Sequence, residues 1–290
     1  MKRISAQVLL FILSAVLLLV SGQTAYAEGS APIAENLELT TYRNISVGGQ
    51  MSAFDPDGGA LRFEVTTEPV KGELQIEEDG GFVYTPKPGK KGRDYFGYKA
   101  YDQEGNASQE ATVIIRIEKA KKTIQYTDMT GRGEEYAAVR LYETGLFTGE
   151  KIGNDVCFHP DRMIPKGEFI SLCVKLSGQP VYAGVLQTSF TDDSRIPIWM
   201  KGYAAAAALS GLTDSDTLNP EDFIRVEEAA EILDHALHVT EVHYLSREKS
   251  QACINLEAAG VLADGVPDDY LTRAEMAKML CGAMDLMNKR

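Results

Sequence analysis

Three segments of this chain share one spacing: Pro160-x-x-x-Ile164-x-x-x-Glu168, Pro220-x-x-x-Ile224-x-x-x-Glu228 and Pro267-x-x-x-Leu271-x-x-x-Glu275. Each follows a glycine with an apolar neighbour (Gly145-Leu146, Gly211-Leu212, Gly260-Val261) and precedes an apolar run. A recurrence of about fifty residues means one supersecondary unit used three times, because a single unit cannot bury its own apolar face. The second half of the chain must therefore fold as one assembly of repeats.

Aligning the units on their glycine and glutamate separates core from surface. Eight, seven and four residues before the glycine lie Ala137/Tyr203/Ala252, Ala138/Ala204/Cys253 and Leu141/Ala207/Leu256. Those offsets share one helical face. One, four and five residues after the glutamate lie Phe169/Ala229/Met276, Leu172/Ile232/Met279 and Cys173/Leu233/Leu280, whereas three on are Ser171, Glu231 and Lys278. That register predicts a second amphipathic helix. Thr272-Arg273-Ala274-Glu275 reads as its capping box, which puts Arg273 in the first turn, beside backbone donors expected to be free and the positive end of the helix dipole. Lys166 holds the matching position in the first unit; the second has Val226 there, with Arg225 one residue earlier.

The N-terminal end carries a different signal. Lys2 and Arg3 precede an apolar run over residues 8–20, and Ala25-Tyr26-Ala27 offers a small-x-small cleavage pattern. Residues 1–27 read as a secretory signal peptide, with a mature start at Glu28 and no later membrane span. Loss of both cations makes the formal charge of −13 more negative still, which argues against nucleic acid as a partner. Four cysteines in an exported chain admit bridges Cys157–Cys173 or Cys253–Cys281, but they stand mostly at core slots of the repeats, which favours free, buried thiols.

Residues 36–119 follow a period of two. Leu61-Arg62-Phe63-Glu64-Val65 alternates, Leu74-Gln75-Ile76 faces Phe82-Val83-Tyr84-Thr85 across Asp79-Gly80-Gly81, and Phe96, Tyr98 and Ala100 share a face. Short strands between Gly/Pro/Asp turns predict a β-sandwich. Asp55-Pro56-Asp57-Gly58, Tyr84-Thr85-Pro86, Gly92-x-Asp94-x-Phe96-x-Tyr98 and Ala111-Thr112-Val113-Ile114-Ile115 resemble the bacterial immunoglobulin-like, cadherin-like modules of surface proteins. Asp55, Asp57 and Asp102 could converge on a structural Ca²⁺, or simply form turns. No other cofactor is expected.

Phe190-Thr191-Asp192, Ile196-Pro197-Ile198-Trp199, Gly211-Leu212 and Thr272-Arg273-Ala274-Glu275, with Tyr126-Thr127-Asp128 opening the first unit, resemble S-layer homology repeats over about residues 124–288. The resemblance implies an all-α, pseudo-threefold bundle that binds secondary cell-wall polysaccharide, through Lys166, Arg273 and Trp199, with Arg225 the displaced cation. The expected organisation is a signal peptide (1–27), an immunoglobulin-like sandwich (28–119), a linker (120–125) and repeats at 126–180, 188–240 and 241–290. The sandwich would act as spacer or adhesion module. The alternative is a protein-interaction scaffold whose degenerate repeats no longer bind the wall polymer; other surface proteins or glycans are further candidate partners. No nucleophile elbow, phosphate loop or Cys/His pair is present, and His235-x-x-His238 lacks a third ligand at zinc spacing, so no catalysis is expected.

Overall fold

The computed structural model describes residues 29–238, 250–263 and 269–289. The signal peptide expected over residues 1–27, and Pro267 of the third spacing motif, lie outside them.

Nine short strands form the first domain: β1 Ile33–Ala34, β2 Leu37–Tyr42, β3 Val47–Gln50, β4 Ala53–Phe54, β5 Arg62–Thr67, β6 Gly72–Ile76, β7 Gly81–Pro86, β8 Gly92–Tyr101 and β9 Ala111–Glu118. One sheet runs β2-β9-β8-β5 and the other β3-β7-β6, with β1 and β4 paired beside them. Only the β2–β9 pair is parallel. The alternation does what it predicts: Phe96, Tyr98 and Ala100 are wholly buried, and Phe82 meets Phe96 edge-on at 5.0 Å. Asp94 points into this core without penalty, because Tyr84 Oη (2.8 Å) and the amides of Val70 (3.1 Å) and Lys71 (2.8 Å) all donate to it. That is why an Asp belongs in the β8 motif.

Among the described residues the second half holds six helices: α1 Glu135–Thr144, α2 Lys166–Leu176, α3 Ile198–Leu209, α4 Val226–Leu237, α5 Gln251–Ala258 and α6 Arg273–Lys289. Gly145, Gly211 and Gly260 end the first helix of each unit with φ near 70°, a conformation that costs a residue with a Cβ. The second helix of each unit packs on the first helix of the next: α2 on α3, α4 on α5 and α6 back on α1. The array is thus closed, with no exposed terminal repeat on the α1–α6 side.

The Pro-x-x-x-Ile loops lock that ring. Ile164 donates its amide to the Leu271 carbonyl (3.0 Å), Leu271 to Ile224 (2.8 Å) and Ile224 to Ile164 (3.1 Å), and all three side chains are fully buried. The residues before two of these prolines, His159 and Asn219, take positive φ (58° and 46°). The opening aspartates act alike: Asp128 accepts from the Phe158 (2.9 Å) and His159 (2.7 Å) amides, Asp192 from Leu218 (2.9 Å) and Asn219 (2.8 Å). None of the four cysteines joins a disulfide, and Cys173, Cys253 and Cys281 are buried.

Two local expectations need correction. The second half is not purely helical, because Glu150–Ile152 (β10) and Asp155–Cys157 (β11) form a hairpin in the first unit. Gly149 precedes it with φ 71°, where a Cβ would lie 2.6 Å from the Tyr126 ring and 2.7 Å from the Cys157 carbonyl. Ser171, placed on the polar face by register, is buried and donates to the Gly167 carbonyl (2.8 Å).

The two halves touch. Gly48 on the edge strand β3 donates to the Gly133 carbonyl (2.8 Å), Tyr136 donates to the Ser46 carbonyl (3.1 Å), and Ser46 donates to the Glu135 carboxylate (3.0 Å). Segment 133–136 thereby covers a sheet edge that would otherwise be open to other chains. In the expected linker Ala120 is buried, and the Lys121 amide donates to Glu143, as does Tyr42 Oη.

Candidate functional site: three related grooves

The ring brings each helix-head cation to the shared glutamate of the following unit. Arg273 of the third unit stands 3.9 Å from Glu168 of the first, and Lys166 of the first is ion-paired to Glu228 of the second. Val226 of the second unit is the corresponding neighbour of Glu275, so that glutamate has no cation from the ring. It completes the capping box instead, accepting from the Thr272 amide (2.8 Å) and Oγ1 (2.6 Å).

The first groove, of about 340 Å³, contains Arg273, Glu168, Glu150, Phe147, Lys175 and Trp199. Trp199 is 64% exposed on its rim and meets Tyr203 edge-on (6.5 Å), with Lys175 Nζ 5.5 Å from that ring. Arg273 is only 4% exposed: its guanidinium donates to Glu150 (2.9 Å) and the Phe158 carbonyl (3.2 Å) and lies 5.1 Å from the Phe147 ring. Glu150 also pairs with Arg162 (2.9 Å) and faces His159 (3.5 Å). The hydrogen bond from Arg273 holds the Glu150 carboxyl below its ordinary pKa, against some desolvation.

The second groove, of about 520 Å³, holds Lys166, Glu228, Asp222, Phe223, Arg225 and Tyr270. Arg225 lies over the Tyr270 ring at 5.5 Å. So Arg273 and Trp199 share one groove, and Lys166 and Arg225 share another.

The anion site expected at the helix heads is corrected by the ring itself. The Arg273 and Ala274 amides donate to the Arg162 and Pro160 carbonyls (both 2.9 Å), and those of Lys166 and Gly167 to Asp222 (2.8 Å) and Pro220 (3.0 Å). The backbone donors that would have cradled an anion are spent on closing the repeats. Side chains must do any recognition.

Asp55, Asp57 and Asp102 serve their own turns. Asp55 accepts from the Asp57 amide (3.0 Å), Asp57 from the Ser30 amide, and Asp102 from the Asn106 amide and side chain (both 2.7 Å). Among the described residues no group of three His, Cys, Asp or Glu side chains is gathered in a metal-binding arrangement. Sequence reasoning missed Glu150, Phe147 and Tyr270. Glu150 sits on a hairpin with no counterpart in the second unit, so no repeat alignment flags it.

Comparison with known proteins agrees with the first domain. Residues 29–119 match the family model of the bacterial cadherin-like domain. No curated protein matches the chain. Solved structures overlap it only in part: an endo-fucoidan hydrolase of glycoside hydrolase family 107 (22% identity, 36% of this chain, 15% of that one, TM-score 0.26), the SrpA adhesin of Streptococcus sanguinis (17%, 34% and 67%, 0.26) and fibronectin(III)-like modules of Clostridium thermocellum CbhA (20%, 33% and 51%, 0.23). The chain thus spans about a seventh of the hydrolase's length, and overlaps of this size carry nothing about activity. Residues 29–119 form a bacterial cadherin-like domain, joined to a helical second half.

Proposed function

We propose that this chain is an exported, non-catalytic surface protein whose second half is an S-layer-homology-type ring docking on acidic secondary cell-wall polysaccharide. The cadherin-like domain acts as its spacer or adhesion module. One observation carries this reading: Trp199 stands largely exposed on the rim of a groove whose floor holds Arg273. An exposed indole beside a cation suits a pyranose ring bearing a carboxylate, the ring stacking and the acid pairing. Among the described residues no helix is long and apolar enough to cross a membrane.

A second reading, an interaction scaffold for other surface proteins, draws on a different observation. Lys166 and Arg273 are both already paired with glutamates, so an acidic ligand must compete with Glu228 or with Glu150 and Glu168. Co-sedimentation of the full-length mature protein with isolated walls separates the two. Pelleting with native walls, lost when the acidic polymer is stripped and weakened by Trp199→Ala, supports the first. Equal pelleting with stripped walls, untouched by Trp199→Ala, overturns it in favour of the second.

A further inference from the structure

The threefold ring implies a third groove, and it differs from the others at each position that defines them. Twelve residues before the turn glycine, where the first groove presents Trp199, the first helix–turn unit has Gly133. The helix-head cation is replaced by Val226. The third groove, unlike the others, faces the first domain. Val226, Val261, Glu275 and Met279 form one side of a space of about 810 Å³ whose other side is Leu39, Tyr42 and their neighbours on the β-sandwich.

The contact at Gly133 is made for this. A Cβ added there would lie 3.1 Å from Gly48 Cα, and one added at Gly48 would lie 3.0 Å from Gly133 Cα, so two side-chain-free residues let the strand edge and the helix approach meet. Around them Tyr42 and Tyr136 pack edge-on at 5.1 Å. Arg140 joins Tyr136 Oη (2.8 Å) to Asp285 (3.2 Å) and so ties the contact to α6. Glu143 clasps both Tyr42 and the Lys121 amide at the far end.

We infer that the third groove is a socket for the β-sandwich of the same chain, so that the two domains move as one body and ligand binding is left to the other two grooves. The final clause rests on the proposed wall binding; the docking does not. A rigidly seated sandwich leaves the Trp199 groove free on a different face of the ring, as a spacer that must point away from its anchor requires.

Limited trypsin digestion of the full-length mature protein tests the docking without any polymer. In the docked state the bonds after Lys119, Lys121 and Lys122 resist cleavage. Gly133→Trp, which gives the first unit the residue its sibling carries, wedges the strand edge away and raises cleavage there at least tenfold, while circular dichroism keeps both domains folded. Glu143→Ala, which releases the Lys121 amide without altering any glycine, gives a smaller rise in the same direction. Should wild-type protein be cut at those lysines as fast as Gly133→Trp, the socket is wrong. Small-angle X-ray scattering of the wild type gives the independent answer: one interdomain distance supports it, and a broad distribution overturns it. Neither experiment reads wall binding, so failure here and failure of the proposed function remain distinct.

Discussion

The first and third grooves are built by the same repeat and have opposite fates. In the first, the helix approach carries Trp199, the head of the facing helix carries Arg273, and the space between them faces solvent. In the third, glycine and valine stand at those positions, and another domain lines the far side of the space. A repeat scaffold therefore does not dictate what its concave surfaces do. Two side chains per unit decide whether a groove offers an aromatic–cation pair or an apolar wall suited to a neighbouring sheet.

That comparison can be broken most severely at the feature both grooves share. Ile164, Ile224 and Leu271 are fully buried where the three loops meet, so Ile164→Ala leaves one cavity at the point the units share. A loss of about 3 kcal/mol is expected, read from denaturant unfolding, and a loss below about 1 kcal/mol would mean the loops are not the lock described. Asp192→Ala comes next. It strips the acceptor from the Leu218 and Asn219 amides and is expected to cost about 2 kcal/mol by the same measurement, with an equal cost for Asp128→Ala in the first unit. Unequal costs would show that the units are less alike than their hydrogen bonds.

The grooves themselves are compared by Trp199→Ala and Val226→Ala. The exposed indole contributes little to stability, so the first change leaves the melting temperature within about 1–2 °C while lowering wall affinity about tenfold or more. Val226→Ala, under the sandwich, acts the other way: it costs about 1 kcal/mol of stability and leaves wall affinity alone.

The smallest effect is in pH. Burial raises the Glu135 carboxyl pKa, despite hydrogen bonds from Ser46 and Gly131 that pull it down. Its folded value lies above its unfolded one, so its contribution is complete below the unfolded pKa and is lost as pH rises through the folded value. Glu150, lowered by Arg273, behaves oppositely: its contribution is present above the unfolded pKa and is lost as pH falls through the depressed value. Glu135→Gln is expected to flatten the melting temperature on the neutral side of the profile, and Glu150→Gln on the acid side. A profile unchanged by either would remove the electrostatic difference between the two regions.

Much of this was legible in the residues. The period of two placed β5 to β9 because a half-buried sheet exposes alternate side chains, and the repeat offsets placed Leu141, Ala207 and Leu256 in the core because a helix buries one stripe. The capping box at Thr272 and Glu275 formed as read. What spacing within a unit does not encode is the surface that unit meets. The amides at the head of α6 looked available, yet Pro160 and Arg162, over a hundred residues earlier, accept their hydrogen bonds. Lys166 and Arg273 looked free to hold an anion, yet Glu228 and Glu150 reach them from other units. Gly133 looked unremarkable, because its meaning lies in Gly48, on another domain.

Trp199 is the only tryptophan in the chain, so its fluorescence reports on the rim of the first groove and the adjoining pocket beside Pro165 and Pro220. Titrating the full-length mature protein with soluble acidic wall polymer is predicted to shift its emission to the blue, saturably, with no shift for the same polymer after its acidic groups are removed. An emission spectrum that stays fixed while the protein still pellets with walls would contradict the account, because binding would then lie outside the groove that Arg273 and Trp199 form.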